Sequence, residues 1–253
     1  MSNPVYYIDP ADFSALAPGV VYQLTGDEGH HAKTVKRAEL GENIDVVDGQ
    51  GNRAVTVVTH LVGDGLGLTV LSLQREDENV QVYLVQALAK GDRDIQAIEM
   101  ATELGAHGVV PWSADRSIVR WKKERAIKAH AKWQNTVRAA AKQSRRSFLP
   151  QVYEAHSTRD LAALALELGS SALFLVLHEQ ASSRLTAVLS EHLTETVREV
   201  YFVVGPEGGI SSQELELLED VGAHTVLLGS EVLRSSTAGA AALSVLNVSL
   251  GRW

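Results

Sequence analysis

Along the N-terminal third of the chain, apolar side chains come in short runs of β-branched and aromatic residues broken by turn formers. These runs are VYYI from Val5, VVYQL from Val20, NIDVVD from Asn43, RAVTVVTHL from Arg53 and LGLTVLSL around Gly67. Asp48-Gly49-Gln50-Gly51 joins two of them as a hairpin turn would. A short helix between the second and third strands carries His30, His31, Lys33 and Arg37. Several short strands with one helix predict a small barrel over residues 1–74.

At Gln74–Asn79 the sequence becomes QREDEN, polar and without period, and beyond it the pattern changes. Apolar runs such as VQVYLVQAL, GVVPW, ALFLVLH, EVYFVVG and HTVLLG alternate with stretches of helical period: Arg93 to Leu104, a long helix from Lys122, Thr158 to Leu168, Leu185 to His192, Ser211 to Val221 and Ser235 to Leu250. SIVRW, before the long helix, is a further expected strand, and PQVYEAH another. Near-continuous apolar strands alternating with helices predict an α/β domain over residues 80–253, with a parallel sheet covered on both faces. Ser211 with Glu214 forms a capping box at one helix start.

The sharpest local motif is Val203-Val204-Gly205-Pro206-Glu207-Gly208-Gly209-Ile210, between an apolar strand and that capped helix. Glycines at a strand's carboxyl end let backbone polar groups approach a ligand; Gly and Pro also simply make tight turns. The glycine spacing is not that of a dinucleotide site, and no GxxxxGK[ST] phosphate loop is present. A second loop, Leu228 to Ala238, follows the next strand and opens the last helix, and Leu177-His178-Glu179 ends another strand. Parallel neighbours would bring these loops to one sheet edge, where α/β proteins bind ligands. His178 itself reads as a satisfied polar residue at a strand end.

Charge is spread unevenly along the chain. The chain carries −8 overall, yet eleven Lys/Arg fall between Arg116 and Arg146 against the single acid Glu124, a local charge of +10 that leaves −18 elsewhere. At helical spacing Arg125, Lys128, Lys132, Arg138, Lys142, Arg145 and Arg146 share one half of the long helix, with Ala126, Trp133, Val137, Ala140 and Ala141 on the other. A charge run is usually a solvated face, but this asymmetry points to a polyanion, and RNA is the partner expected. Candidate RNA contacts are Arg116, Arg120, Lys142, Arg145 and Arg146, extended by Lys90 and Arg93 of the KGDR turn and by His30, His31, Lys33 and Arg37. No metal site is expected, because His30 and His31 lack a spaced partner. No apolar run approaches a membrane span, and the start MSNPVYYIDP lacks the plan of a signal peptide, so the expected location is cytoplasmic.

GPEGG from Gly205 and LGSEVLRSSTAGAAAL from Leu228 resemble the ribosomal RNA small-subunit methyltransferase E family of the SPOUT superfamily. HHAKTVKRAELGENIDVVDGQG from His30, ALAKGDRDIQAIEMATELGAHGVVPWSADRSIVRW from Ala87 and AAAKQSRR from Ala139 are similar to the same family, in order along nearly the whole chain. The resemblance implies a PUA-like β-barrel followed by a SPOUT domain with a C-terminal trefoil knot, a homodimer, and S-adenosylmethionine-dependent methylation of uridine N3 in 16S rRNA, in the assembled small subunit, leaving S-adenosylhomocysteine. The last helix, apolar almost all round, then serves as core and as dimer seam.

The implied cofactor residues are Leu177 and His178; Val204, Gly205, Pro206, Glu207, Gly208 and Gly209; and Leu228, Gly229, Ser230, Val232, Leu233, Thr237 and Ala238. With no cysteine in the chain, methylation through a cysteine adduct at a pyrimidine carbon is excluded, whereas direct displacement at nitrogen or oxygen is not. Arg234 is the candidate for stabilising charge on the uracil oxygens, because it stands at a cofactor loop and keeps its charge at any working pH. Glu207 is the candidate proton acceptor, though an acid near a helix start is also favoured by the dipole alone. Ser236 stands where the family resemblance leads one to expect an acid. Methylation of tRNA or of a ribose 2′-oxygen, and RNA binding without catalysis, are the rival readings.

Overall fold

The computed structural model describes residues 3–76 and 79–253, so Asp77 and Glu78 of the expected linker lie outside the described residues. The chain divides into two units, one of Met1–Glu78 with Ala141–Leu149 and one of Asn79–Ala140 with Pro150–Trp253.

The first unit holds β1 (Val5–Tyr7), α1 (Pro10–Ser14), β2 (Val21–Leu24), α2 (Gly26–His30), a π-helical turn at His31–Val35, β3 (Asn43–Val47), β4 (Asn52–Val62) and β5 (Gly65–Arg75). These strands form one five-stranded sheet in the order β1-β3-β4-β5-β2, with β1 parallel to β3 and the other pairs antiparallel. Alternation does the sorting: Ala54, Thr56 and Val58 of β4 face inward with Tyr6, Ile44, Leu66 and Leu68, and Thr56 settles its buried hydroxyl by donating to the Ile44 carbonyl at 2.6 Å. The expected Asp48–Gly51 turn is held by Asp48 Oδ1, which accepts from the N–H groups of Gln50 and Asn52. The expected short helix is α2 with its π-helical turn, and Arg37 lies just past it. Segment 141–149, which the sequence boundaries put in the second domain, packs instead with the first unit. Ala141 and Leu149 join Val5, Tyr7 and Val47 in an apolar cluster, the Tyr7 hydroxyl donates to the Arg146 carbonyl at 2.9 Å, and Arg53 donates to the Arg145 carbonyl at 2.7 Å.

The second unit contains β6 (Gln81–Ala87), α3 (Arg93–Glu103), β7 (Gly108–Trp112), most of α4 (Glu124–Gln143), β8 (Gln151–Val152), α5 (Thr158–Leu168), β9 (Ala172–Leu177), β10 (Ser183–Arg184), α6 (Leu185–His192), β11 (Glu199–Val204), α7 (Ser212–Glu219), β12 (His224–Leu227) and α8 (Ser235–Ser249). Its sheet has seven strands, all parallel, in the order β10-β12-β9-β11-β6-β7-β8. One face carries Tyr83, Tyr201 and Phe174 side by side on β6, β11 and β9, stacked with centroids 4.5 and 4.4 Å apart, beneath Leu161 of α5 and Leu218 of α7. On the other face α8 comes so close to β6 that a Cβ on Gly239 would stand 2.7 Å from Leu84 Cδ1, which is why small residues recur along this helix.

SIVRW is not a strand: Arg120 donates to the carbonyls of Ala114 and Asp115, both at 2.7 Å, and curls the segment back on itself. Arg145 and Arg146 are not on the face of α4, which ends at Gln143. Arg145 takes a left-handed φ of 59°, and the N–H groups of Arg146 and Arg145 close on the carbonyls of Ala141 and Lys142, a helix stop normally made with glycine.

Candidate active site

Register fixes where the cleft forms. Val204 of β11 pairs with Leu177 of β9 and Gln86 of β6, and Val226 of β12 pairs with Leu177, so four strands end together at one sheet edge. The loops leaving these ends enclose a cleft of about 650 Å³, lined from Leu177 to Gln180, from Val204 to Ile210 and from Leu227 to Gly229, and again by Glu231, Val232, Leu233, Arg234, Ser235 and Ala238. A volume of this order suits a nucleoside-sized ligand. Of the cofactor residues expected from sequence, all line the cleft except Ser230 and Thr237. Arg93, Arg116, Ser212 and Leu215 line it too. Leu215 sits one helical turn beyond Ser211 and could have been found by that spacing.

The glycines shape the walls. Gly209 has a φ of 74° and closes the turn through its N–H to the Pro206 carbonyl at 2.9 Å. A Cβ on Gly208 would press on Arg116 at 3.2 Å, and Arg116 Nη1 donates to the Gly208 carbonyl at 3.3 Å, so this side chain braces the loop. Opposite, the His178 N–H donates to the Val226 carbonyl at 3.0 Å, and its Nδ1 accepts from the Gln180 N–H at 3.2 Å. With Nδ1 accepting, Nε2 is the ring nitrogen left to donate.

Behind the glycine loop lies a buried carboxylate. Glu214, 3% exposed, accepts from the Asp115 N–H at 2.9 Å and the Thr158 hydroxyl at 2.8 Å on one oxygen, and from the N–H and hydroxyl of Ser211 at 3.1 and 3.0 Å on the other. Trp112 Nε1 donates in turn to Thr158 Oγ1 at 3.2 Å. One side chain, legible in the sequence only as a cap, thus ties the loop after β7, the start of α5 and the start of α7 together, and so sets Arg116 beside Gly208.

Charges gather on the rim. Arg93 Nη1 lies 3.0 Å from Glu207 Oε1, which also accepts from the Lys90 N–H at 3.2 Å. Arg234 lines the cleft as the N-cap residue of α8, its carbonyl accepting from the N–H groups of Thr237 and Ala238, and its side chain is exposed. Ser236 is buried in the first turn of α8.

The other candidate RNA contacts differ in how available they are. On α4, Trp133 and Val137 are buried while Arg125, Lys128, Lys132 and Arg138 are exposed, as the helical period requires. Lys142 is spoken for: its ammonium meets Glu28, stands 3.1 Å from His31 Nδ1 and lies 4.7 Å over the Tyr6 ring. Burial, with Lys142 beside it, lowers the His31 pKa, and burial near Glu28 pushes Tyr6 up to about 12. Lys33 donates to the Gly63 carbonyl, whereas His30 and Arg37 are exposed. Arg145 and Arg146 are half-buried, and Lys90 and Arg120 are exposed. Among the described residues no cluster of three or more metal-ligating side chains occurs, and no helix is long and apolar enough to cross a membrane.

Residues 76–247 match the model of an RNA methyltransferase domain, and residues 24–67 that of an RNA methyltransferase PUA domain. Ribosomal RNA small subunit methyltransferase E of Mycobacterium bovis is 40% identical over 237 residues, 93% of this chain and 89% of that protein. The chain belongs to the ribosomal RNA small subunit methyltransferase E family. The Bacillus subtilis member is 30% identical over 89% of each chain. The crystal structure of the Neisseria gonorrhoeae member, bound to S-adenosyl methionine, superposes with a TM-score of 0.81 at 26% identity, covering 98% of both chains. Membership of this family accounts for the pairing of a PUA-like unit with an α/β methyltransferase unit.

Proposed function

We propose that this protein transfers a methyl group from S-adenosylmethionine to N3 of a uridine in 16S rRNA, acting in the cytoplasm as a homodimer on the assembled small subunit. The observation that carries the reading is the cleft itself: backbone from glycine-bearing loops converging at one sheet edge, in a fold shared with a relative that binds this nucleoside. The residues fit such a group. Leu177, Val204, Leu228, Val232 and Leu233 supply apolar walls, and Gly205, Gly208 and Gly229 bring loop backbone to the cleft with no side chain of their own. In this reading the segments holding the two late loops form a trefoil knot, and α8 contributes to the dimer seam.

The bound sulfonium supplies an electrophilic methyl group and becomes a neutral thioether, so the chemistry calls for no metal. What remains to the protein is alignment and charge. Uridine N3 is nucleophilic only as its proton leaves, and negative charge then grows on the uracil oxygens. Arg234, cationic at any working pH and placed at the cleft mouth, stabilises that charge. Ser236 cannot serve as a carboxylate base, and Glu207 is the candidate for the proton.

Incubating the protein with isotope-labelled S-adenosylmethionine and small subunits from a strain lacking it is expected to label 16S rRNA at a single 3-methyluridine, identified by nucleoside mass spectrometry. Label on a ribose, on tRNA or nowhere contradicts the assignment. Reversing the exposed Arg125 and Lys128 to Glu is expected to weaken RNA affinity and reduce the slope of log K against log salt by about two. An unchanged slope in filter binding would show that this face of α4 does not meet RNA.

A further inference from the structure

We infer that the Arg93–Glu207 ion pair is a latch opened by RNA: a backbone phosphate takes the Arg93 guanidinium, and the Glu207 carboxylate so released accepts the N3 proton of the target uridine. The inference rests on the methyl-transfer reading and goes beyond it by naming what switches the base on.

The geometry holds Glu207 in check. Its Oε1 receives both the Arg93 guanidinium at 3.0 Å and the Lys90 N–H at 3.2 Å, so that oxygen is already occupied by two donors and is not open to a third. Glu179, Glu207 and Glu231 are the carboxylates lining the cleft, and Glu207 is the one paired with an arginine among the described residues. The pair is partly open to solvent, the side chains being 41% and 27% exposed, so a competing anion can reach it. A phosphate offers Arg93 a bidentate partner of higher charge than a single carboxylate oxygen.

Arg93 is also placed where an anion is wanted. It is the first residue of α3, an eleven-residue helix, where the dipole disfavours a bare cation and favours a phosphate. The preceding loop is set by two successive left-handed residues, Gly91 with φ 63° and Asp92 with φ 58°. Asp92 does not cap α3; its carboxylate pairs with Lys132 of α4 at 2.7 Å. The loop bearing Arg93 is therefore held by the most cationic helix of the chain, and phosphate drawn to that helix arrives beside the latch.

Once the latch opens, the N3–H bond breaks with its electron pair staying on N3 and its proton passing to a Glu207 oxygen. That pair forms the new N–C bond, while the electron pair of the donor's S–C bond stays on sulfur. The proton then leaves Glu207 for water.

Three proteins test the latch: wild type, Glu207→Gln and Arg93→Gln, each checked for unchanged melting temperature. For each, subunit affinity is measured without methyl donor, S-adenosylmethionine affinity by calorimetry, and the single-turnover rate at saturating subunits. The loss in Glu207→Gln is expected to fall on the rate, by about a hundredfold, with subunit affinity no weaker than wild type, because Arg93 no longer has to leave a carboxylate. The loss in Arg93→Gln is expected to fall on subunit affinity, weaker by about tenfold. A Glu207→Gln protein as fast as wild type overturns the latch. So does an Arg93→Gln protein that loses S-adenosylmethionine affinity while keeping subunit affinity, because the pair then only shapes the glycine loop. A wild-type protein that transfers no methyl group to these subunits overturns the underlying reading, and the latch with it.

Discussion

Arg234→Ala is expected to slow methyl transfer about 10²- to 10³-fold while leaving S-adenosylmethionine affinity within about threefold. The expectation follows from where the residue sits. Arg234 lines the cleft as the N-cap residue of α8, and it holds the loop through its backbone carbonyl, which truncation of the side chain leaves intact. Among the described residues the guanidinium has no hydrogen-bond or ion-pair partner, so it is available for charge that appears only as the uracil ionises, and an interaction made only in the transition state shows in the rate rather than in ground-state binding. Arg234→Lys should recover part of the rate, since it keeps the charge and loses the planar fork. Single-turnover kinetics with calorimetry on the same preparations decide the matter; parallel loss of rate and cofactor affinity would show that Arg234 builds the cleft instead.

The second large effect is on stability. Glu214→Ala is expected to cost about 3–5 kcal/mol, because it strips buried partners from the Asp115 N–H, the Thr158 hydroxyl and both donors of Ser211 at once. For a chain of this size that corresponds to a fall of about 10 °C in Tm. Glu214→Gln should cost less, since its amide oxygen still accepts while its NH₂ faces donors. Because Glu214 also sets Arg116 against Gly208, the alanine variant should lose cofactor affinity even at temperatures where it remains folded. Melting within about 2 °C of wild type would show that water replaces the carboxylate and that the hub is unimportant.

What the sequence revealed and what it hid divide along the line between local and distant interactions. The hairpin at Asp48–Gly51, the capping box at Ser211 and the buried strands β6, β9 and β11 follow from turn chemistry, capping and apolar runs, all readable within a few residues. The two late glycine loops were legible for the same reason, and parallel strand order alone sufficed to bring them to one edge. The end of α4 was not: Arg145 in a left-handed conformation is a stop that composition does not announce, since glycine is the usual signal. Nor was the attachment of segment 141–149 to the first unit, which depends on Tyr7 and Arg53, far away in sequence, finding the carbonyls of Arg146 and Arg145. Charge alone marks Arg93 and Arg116 as RNA contacts. Their places on the cleft come from Glu207 and Gly208, more than ninety positions away, and no spacing rule reaches that far.

Loop backbone from Val204 to Gly209 and from Leu228 to Arg234 is expected to enfold a sulfonium nucleoside beside Arg234. A crystal structure of the protein grown with S-adenosylmethionine tests it most directly. Density for the nucleoside is expected between those loops, with main-chain groups of both in hydrogen-bond contact and the Arg234 side chain open to the methyl side. Density elsewhere, or loops collapsed onto each other at saturating nucleoside, would contradict it.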